Sequence, residues 1–341
     1  MKKMIFSLVA VLLAACAPEQ TYNPPQKAVE VKEVVFAKGA DVSWLTQMES
    51  EGLTFKNAAG ETTECMQLLR DDCGVNGIRL RVWVNPEEGW NNIDDVLVKA
   101  RRAASLGLAV MIDFHFSDTW ADPANQKVPA KWAYHGIDGL CKDVRDHVTE
   151  MLEKLKAYDV TPQWVQIGNE TRGGLMYPLG ELGNGANTAK LFNAGYDAVK
   201  AIFPEARVII HLDSGDTLWL YARMFDYLKE NDGRYDMIGM SFYPATDTWE
   251  SQTNTLISNI KTVASAYSKP VMICEIGMSW DQGAVCKRMI QKIMDEFGQG
   301  GETLKGIFYW EPEAPSGYNG GYQLGCFRDG SPTEALDPFK N

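Results

Sequence analysis

The sequence predicts a single-domain α/β chain folded as a (β/α)8 TIM barrel, and three observations carry that prediction. Short apolar runs alternate with amphipathic runs through the chain from residue 37 onward, the order that builds a parallel sheet with helices outside. Polar and aromatic residues gather at the C-terminal ends of the apolar runs, the ends that form the functional face of such a barrel. No Gly-rich phosphate loop follows the first run, which makes an open doubly wound sheet the weaker alternative. The length of 341 residues alone would suggest about two domains. Barrels of roughly 250 residues or more nevertheless close around one core, and no internal linker divides this chain.

In chain order the expected strands are Ala37–Val42, Gly77–Val84, Ala109–Phe114, Trp164–Ile167, Arg207–His211, Met237–Ser241, Pro270–Cys274 and Gly306–Tyr309. Helices are expected over Ile93–Leu106, Leu140–Tyr158, Thr188–Phe203, Leu218–Glu230, Thr255–Tyr267 and Ala284–Phe297, where apolar positions recur every three to four residues. Each strand end then carries its own chemistry. The first gives Asp41, Ser43 and Trp44, and the second Arg79 and Arg81 at alternate positions, then Trp83 and Asn85. The third ends in Asp113, Phe114 and His115 with Asp118 and Trp120 beyond, and the fourth in Asn169 and Glu170. The remaining four give His211 and Asp213, Ser241 and Tyr243, Glu275, and Trp310 with Glu311.

Residues ahead of the barrel point to export. Lys2 and Lys3 precede an apolar run from Met4 to Ala15, too short for a stable span and flanked like a secretory signal. The run ends Leu13-Ala14-Ala15-Cys16, which resembles a bacterial lipoprotein box with Cys16 as the lipidated residue. Residues 1–15 are therefore expected to be removed, and residues 16–36, with Pro18, Pro24 and Pro25, to form a flexible tether ahead of a barrel over residues 37–341. The expected location is the outer membrane or cell surface.

The formal net charge is −12. A surface this acidic repels phosphate backbones, and no basic cluster with interleaved aromatics offsets it, so nucleic acid is excluded as a partner. Seven cysteines are scattered through the chain without a CxxC pair, and there is no His-x-x-x-His spacing, so a catalytic zinc site has no support. Cys65 and Cys73 fall near one helical stretch, where bridging geometry is poor, and the six cysteines beyond Cys16 are expected to be mostly free. No cofactor is expected, and a monomer is the default.

Glu170 and Glu275 close two apolar runs 105 positions apart. Retention at a glycosidic carbon needs one carboxylate as nucleophile and one carboxylic acid as proton donor, about 5–5.5 Å apart, converging from separate strands. The two must sit in unequal environments so that one stays protonated while the other is ionised. Arg79 or Arg81 beside Glu275 would favour its charged form, while the charge of Glu275 would raise Glu170. Asn169 is placed to meet the hydroxyl next to the reacting carbon. Trp83, Trp120 and Trp310 offer apolar platforms for the C–H faces of sugar rings.

The Asn169-Glu170 pair and Glu275 resemble the catalytic strand ends of clan A glycoside hydrolases. More narrowly, Gly39-Ala40-Asp41-Val42-Ser43, the run Gly77 to Pro86, and Asp113 to Pro123 with Gln126, Pro129 and Trp132 resemble the arabinogalactan endo-β-1,4-galactanase family. Gln166 to Glu170, His211-Leu212-Asp213 and Ser241-Phe242-Tyr243-Pro244 continue the likeness, which spans Gly39 to the C-terminus. The resemblance implies retaining, endo-acting hydrolysis of β-1,4-galactan in type I arabinogalactan and pectin, with Glu170 as acid/base and Glu275 as nucleophile. Bacterial members often hold a structural calcium in late loops. Here Ser279 to Gly283 and Glu311 to Gly325 are short with few acidic companions for Asp281, so calcium is not favoured and the number of sugar subsites is open.

Each residue also has a plainer reading. Arg79 and Arg81 could serve to pair barrel acids such as Asp113, and Asp118 or Asp122 to brace a loop. Asp41, Arg79, Arg81, Trp83, His115, Asp118, Trp120, Asn169, His211, Tyr243 and Trp310 are the expected substrate contacts; His115 and His211 could instead be core histidines, His115 being the better ligand candidate, while His135 and His147 are expected at the surface. Trp164 is expected in the core, and Trp249 in either place. The alternatives in function are another clan A endo-glycanase, such as a β-mannanase or cellulase, and a non-catalytic surface glycan-binding lipoprotein. The latter should have lost one of the two carboxylates, and both are present.

Overall fold

The computed structural model describes residues 33–340, so Cys16 and the expected signal and tether up to residue 32 lie outside the described residues. Eight parallel strands close a barrel in sequential order. They are β1 (Ala37–Asp41), β2 (Gly77–Val82), β3 (Ala109–Phe114), β4 (Trp164–Ile167), β5 (Arg207–Leu212), β6 (Met237–Phe242), β7 (Val271–Ile276) and β8 (Leu304–Trp310). β8 pairs with β1, with Asp41 opposite Trp310, and this closure excludes the open-sheet alternative.

The helices of the outer layer are α1 (Cys65–Cys73), α2 (Ile93–Ser105), α3 (Ile137–Ala157), α4 (Asn187–Ile202), α5 (Leu218–Glu230), α6 (Trp249–Tyr267) and α7 (Gly283–Phe297). Their ends follow local chemistry. α1 starts where the Glu64 carboxylate accepts the amide of Gln67 and stops at Gly74, which takes φ +75° where a side chain would be strained. α2 starts where Asn92 accepts the amide of Asp95. After β8 only a kinked single turn of helix, Tyr318–Gly321, precedes the place of an eighth outer helix. A 3-10 segment, Glu334–Lys340, takes that place and buries Leu336 and Phe339 against α1 and α7. Pro338 inside it cannot donate to a helical ladder, which favours the short form.

Two apolar layers result. The larger lies between helices and barrel. The smaller fills the lower barrel with Ala37, Ala109, Met111, Trp164, Ile209, Met237, Met272, Cys274 and Phe308. Trp164 packs edge-on to Phe308 at 5.8 Å, in the core as expected. Gly39 makes room for that ring, because a Cβ there would lie 2.2 Å from Phe308. Phe308 thus plugs the floor beneath the polar inward positions, and a third apolar cluster, Trp44, Met48, Ala314 and Tyr322, packs against Trp120 and Trp310.

The six described cysteines are free, and Cys65 and Cys73 sit at the two ends of α1. His147 departs from its expected surface position. It lies on the inner face of α3, 3% exposed, among Phe114, Phe116 and Trp132, and burial pushes its imidazole down to about 3. His135 is exposed and pairs with Asp143 at 2.5 Å.

Candidate active site

Alternation along the strands points Asp41, Arg79, Arg81, Asp113, Gln166, His211 and Ser241 into the upper barrel. Arg79 is their hub. Only 1% exposed, its guanidinium reaches Asp41 and Asp113 at 2.8 Å, Glu275 at 2.9 Å and the Asn169 Oδ1 at 3.0 Å. A single buried cation thus serves three carboxylates from β1, β3 and β7, and those carboxylates keep it charged.

Glu275 reaches this hub through a break in register. Met272 and Cys274 face the barrel interior, so strict alternation would send Glu275 outward with Ile273. Pairing with β6 instead jumps from Met240 opposite Ile273 to Ser241 opposite Glu275, and the β7–β8 register shifts over the same residues. This bulge turns Glu275 inward beside Cys274 and returns Ile276 to the outer layer. Glu170 is aimed by another backbone device. Gly168 at φ +83° and Glu170 at φ +48° end β4 in left-handed conformations, a strain of about 1–3 kcal/mol for the non-glycine residue.

The two carboxyls have unequal neighbours. On Glu275, Oε1 pairs with Arg79 and Oε2 accepts the Tyr243 hydroxyl at 2.8 Å. Burial raises the Glu275 carboxyl, while Arg79 and Tyr243 pull it back toward its ordinary value. The Glu170 carboxyl is pushed well above the ordinary range by burial and then by the charge of Glu275, with the Ser241 hydroxyl 2.8 Å from Oε1 opposing. A cation and a phenol thus favour the charged form of Glu275, while burial and the Glu275 charge favour the protonated form of Glu170.

Both line a cavity of about 290 Å³ at the barrel mouth, together with Asp41, Arg79, Arg81, His115, Trp120, Asn169, Tyr243 and Trp310. Arg81 pairs with Glu311 at 2.7 Å and is clasped by the faces of Trp120, Trp83 and Trp44 at 4.4, 5.0 and 5.1 Å. Trp120 and Trp310 stand edge to face with centroids 6.0 Å apart, forming an aromatic wall. His115 Nε2 donates to Asp113 at 3.0 Å while its Nδ1 accepts from the Trp83 indole and the Ala121 amide. Asn169 donates to the Ala121 carbonyl and receives Arg79, an orientation fixed on both sides.

Three expected substrate contacts stand back from the cavity. Trp83 braces Trp120 edge-on at 5.3 Å and holds His115. Asp118 accepts the Ala130 amide at 2.8 Å and ties the loop after β3. His211 is fully buried, its ring nitrogens turned to Ser241 at 2.8 Å and to Asn169 at 2.9 Å. Leu324 and Asp122 line the cavity without having been expected there. Gln166 joins Arg79, Asp113 and Asn169 from below, its inward position on β4 and its place at the head of the Gln166–Glu170 motif being the sequence signals. Glu313, after β8, is 2% exposed with both oxygens unpartnered, and burial and the nearby Glu311 raise it well above the ordinary range. Nothing in its loop position announces this. Among the described residues no group of three or more His, Cys, Asp or Glu side chains is arranged to hold a metal ion.

A closed (β/α)8 barrel with two buried strand-end carboxyls in unequal environments inside an aromatic-walled mouth defines a glycoside hydrolase. The chain belongs to glycosyl hydrolase family 53, whose sequence pattern it matches over residues 37–287. It is 33% identical over 300 residues to the arabinogalactan endo-β-1,4-galactanase of Thermothelomyces thermophilus, covering 81% of this chain and 89% of that one. It is 30% identical over 318 residues to the endo-β-1,4-galactanase of Bacillus subtilis strain 168, covering 84% and 72%. Among solved structures, a fungal β-1,4-galactanase superposes with a TM-score of 0.81 at 29% identity, covering 90% of this chain and 99% of that one. The family 53 catalytic domain of Ignisphaera aggregans gives 0.81 at 25%, covering 93% and 98%.

Proposed function

We propose that this chain is an endo-acting, retaining β-1,4-galactanase in which Glu275 is the nucleophile and Glu170 the acid/base. The opposed environments of the two carboxyls carry the assignment: Glu275 on Arg79 and Tyr243, Glu170 on burial and the Glu275 charge. The substrate class follows the galactanase relatives, which match over four-fifths of the chain.

In the first step a Glu275 carboxylate oxygen attacks the anomeric carbon while Glu170 gives its proton to the departing glycosidic oxygen. The products are a covalent galactosyl ester and a shortened chain with a free hydroxyl. In the second step Glu170, now ionised, takes a proton from water as the water oxygen attacks the same carbon and frees Glu275. Asn169, fixed by Arg79 and Ala121, is placed to hold the neighbouring sugar hydroxyl. Trp120 and Trp310 flank the ring.

The test is digestion of linear β-1,4-galactan, with mannan and cellulose in parallel, by protein lacking residues 1–16 and by its Glu170→Ala and Glu275→Ala forms. Galactan alone should yield oligosaccharides, and both substitutions should lower the rate by on the order of 10²-fold or more. Cleavage of mannan or cellulose instead would replace the substrate assignment. On an activated aryl galactoside, azide should restore the Glu170→Ala form with retained configuration and the Glu275→Ala form with inverted configuration. The opposite pairing would exchange the two roles.

We further propose that the mature protein is a lipoprotein of the outer membrane or cell surface, anchored through Cys16. The short apolar run and the Leu-Ala-Ala-Cys ending support this. Palmitate labelling should follow Cys16 and disappear in Cys16→Ser, with the protein moving to the soluble fraction. We also propose that it acts as a monomer, since a single barrel supplies both carboxyls together with the Arg79, Tyr243 and Ser241 contacts that tune them. Light scattering at the mass of a dimer would reject that.

A further inference from the structure

Below Glu170 runs a line of hydrogen-bonding groups that the hydrolytic steps do not use. Ser241 Oγ on β6 lies 2.8 Å from Glu170 Oε1 and 2.8 Å from His211 Nε2, and His211 Nδ1 lies 2.9 Å from Asn169 Oδ1. Ser241 and His211 are 1% and 0% exposed, so water does not compete for these contacts. The Gln166 amide, 3.0 Å from Nδ1, has Asp113 and Asn169 as acceptors for its two hydrogens, the Glu170 amide is farther off at 3.5 Å, and the Asn169 amide nitrogen is turned to the Ala121 carbonyl, so the nearest group facing Nδ1 is Asn169 Oδ1, an acceptor. That acceptor favours the His211 tautomer with its proton on Nδ1, and Nε2 then presents a lone pair to Ser241.

Ser241 has one proton and two acceptors for it. While Glu170 is protonated, its O–H donates to Ser241 Oγ and the serine hydroxyl donates to His211 Nε2, so every group is satisfied. When Glu170 has given its proton to the leaving group, its carboxylate is the stronger acceptor, and the serine hydroxyl turns to it. No bond is made or broken in this turn. Resting on Glu170 as the acid/base, we propose that Ser241 is a positioning residue whose hydroxyl hydrogen turns between His211 and Glu170 as Glu170 gives up and takes back its proton. Asn169 thereby acts twice, facing the substrate and holding the ring that competes for the serine.

The charged and titratable groups around Glu170 are Glu275 on β7, Asp213 after β5, Arg79 on β2, Tyr243 after β6, which donates to Glu275, and Tyr221 on α5, which donates to the Leu212 and Asp213 carbonyls. Those around His211 are Arg79, Asp113 and His115, and burial with the Arg79 charge keeps the ring neutral. None of them can take the serine's place. Asp213 is tied to Arg172 at 3.1 Å and Arg79 to three carboxylates.

The experiment is the pH profile of kcat/KM on galactan for the wild type, Ser241→Ala and Ser241→Thr. Its alkaline limb reports the acid in the free enzyme. Ser241→Ala removes a donor to ionised Glu170, so that limb should move up by about one pH unit, with kcat falling about tenfold and KM little changed. Ser241→Thr, which keeps the hydroxyl, should restore the limb. An unmoved limb in a folded Ser241→Ala protein, or Thr behaving as Ala does, overturns the proposal. His211→Asn supplies a second reading: losing the competing lone pair leaves the serine with Glu170, and the limb should move down. Movement in the same direction as Ser241→Ala overturns the competition. Glu170→Gln, run alongside, separates the two layers. If it retains wild-type activity the acid/base assignment is wrong, whatever Ser241 does.

Discussion

Tyr243→Phe removes one atom from the site and leaves the ring, so its effect can be worked from the contacts of Glu275. Each Glu275 oxygen has one strong donor, Arg79 on Oε1 at 2.9 Å and the Tyr243 hydroxyl on Oε2 at 2.8 Å. Burial and the Glu275 charge hold the Tyr243 phenol well above its ordinary value, so it remains a donor throughout the working range. A hydrogen bond to a charged group contributes about 1.5–3 kcal/mol. That contribution favours only the ionised carboxylate, and at 1.36 kcal/mol per unit its loss raises Glu275 by roughly one to two units. The acid limb of kcat/KM, measured by reducing-end release from galactan between pH 3 and 9, should therefore move up by that amount. Above the new limb Glu275 is ionised again and the deficit shrinks. Because Glu170 and Glu275 titrate as a pair, the alkaline limb should follow by less. An acid limb that stays in place while the rate falls uniformly would refute the reasoning, and would make Tyr243 a contact of the sugar and not of the nucleophile.

Arg79→Met should leave Asp41, Asp113 and Glu275 buried without their cation, at about 3–5 kcal/mol. Melting should fall by on the order of 10 °C. Repulsion raises these carboxyls in the folded variant, so it binds more protons than the unfolded chain, and lowering the pH should recover part of the loss; a deficit independent of pH would argue against the hub. Gly39→Ala places a Cβ 2.2 Å from the Phe308 ring and should cost about 1–3 kcal/mol in urea unfolding, whereas an unchanged midpoint would show that the barrel floor yields. His147, pushed down to about 3 by burial, is neutral in the fold and titrates near 6.5 when unfolded. Between those values the unfolded state binds the extra proton, so the contribution is present above pH 6.5 and is lost as pH falls toward 3. Between pH 7 and pH 4 the wild type should lose roughly 3 kcal/mol more than His147→Phe in urea unfolding, and equal losses would reject the buried neutral ring.

The barrel was legible because it is written in local periodicity. Ala109–Phe114 is apolar on both faces up to Asp113 and Trp164–Ile167 up to Gln166, with polar residues following each, and both form strands over those same residues. His147 was legible too and was misplaced for its residue type. With Leu140, Val144 and Met151 it falls at spacings of four, three and four, the buried stripe of α3, and that spacing outweighs the polarity of histidine. Glu64 ahead of α1 and the Pro338 segment after β8 left weaker marks, being a single cap and a single breaker.

The site was only half legible, for a reason visible at Glu275. Its strand, Val271–Ile276, is buried throughout, and period two assigns Glu275 to the same face as Ile273. Two facts contradict that assignment: a carboxylate cannot be left unpaired in the apolar layer under α7, and on the inner face Arg79 and Tyr243 offer it a charged and a neutral donor. The bulge resolves both, since one extra residue moves Glu275 to the inner face and leaves Ile276 outside. The position of the acid thus follows from electrostatic demand inside the barrel and not from the strand's own pattern. His211 shows the converse. Its inward position follows from alternation on β5, but which partners consume its two nitrogens depends on Ser241 and Asn169, contributed by neighbouring strands. Strand ends name the chemistry available at the mouth, and contacts between strands decide which of those groups remain free for substrate.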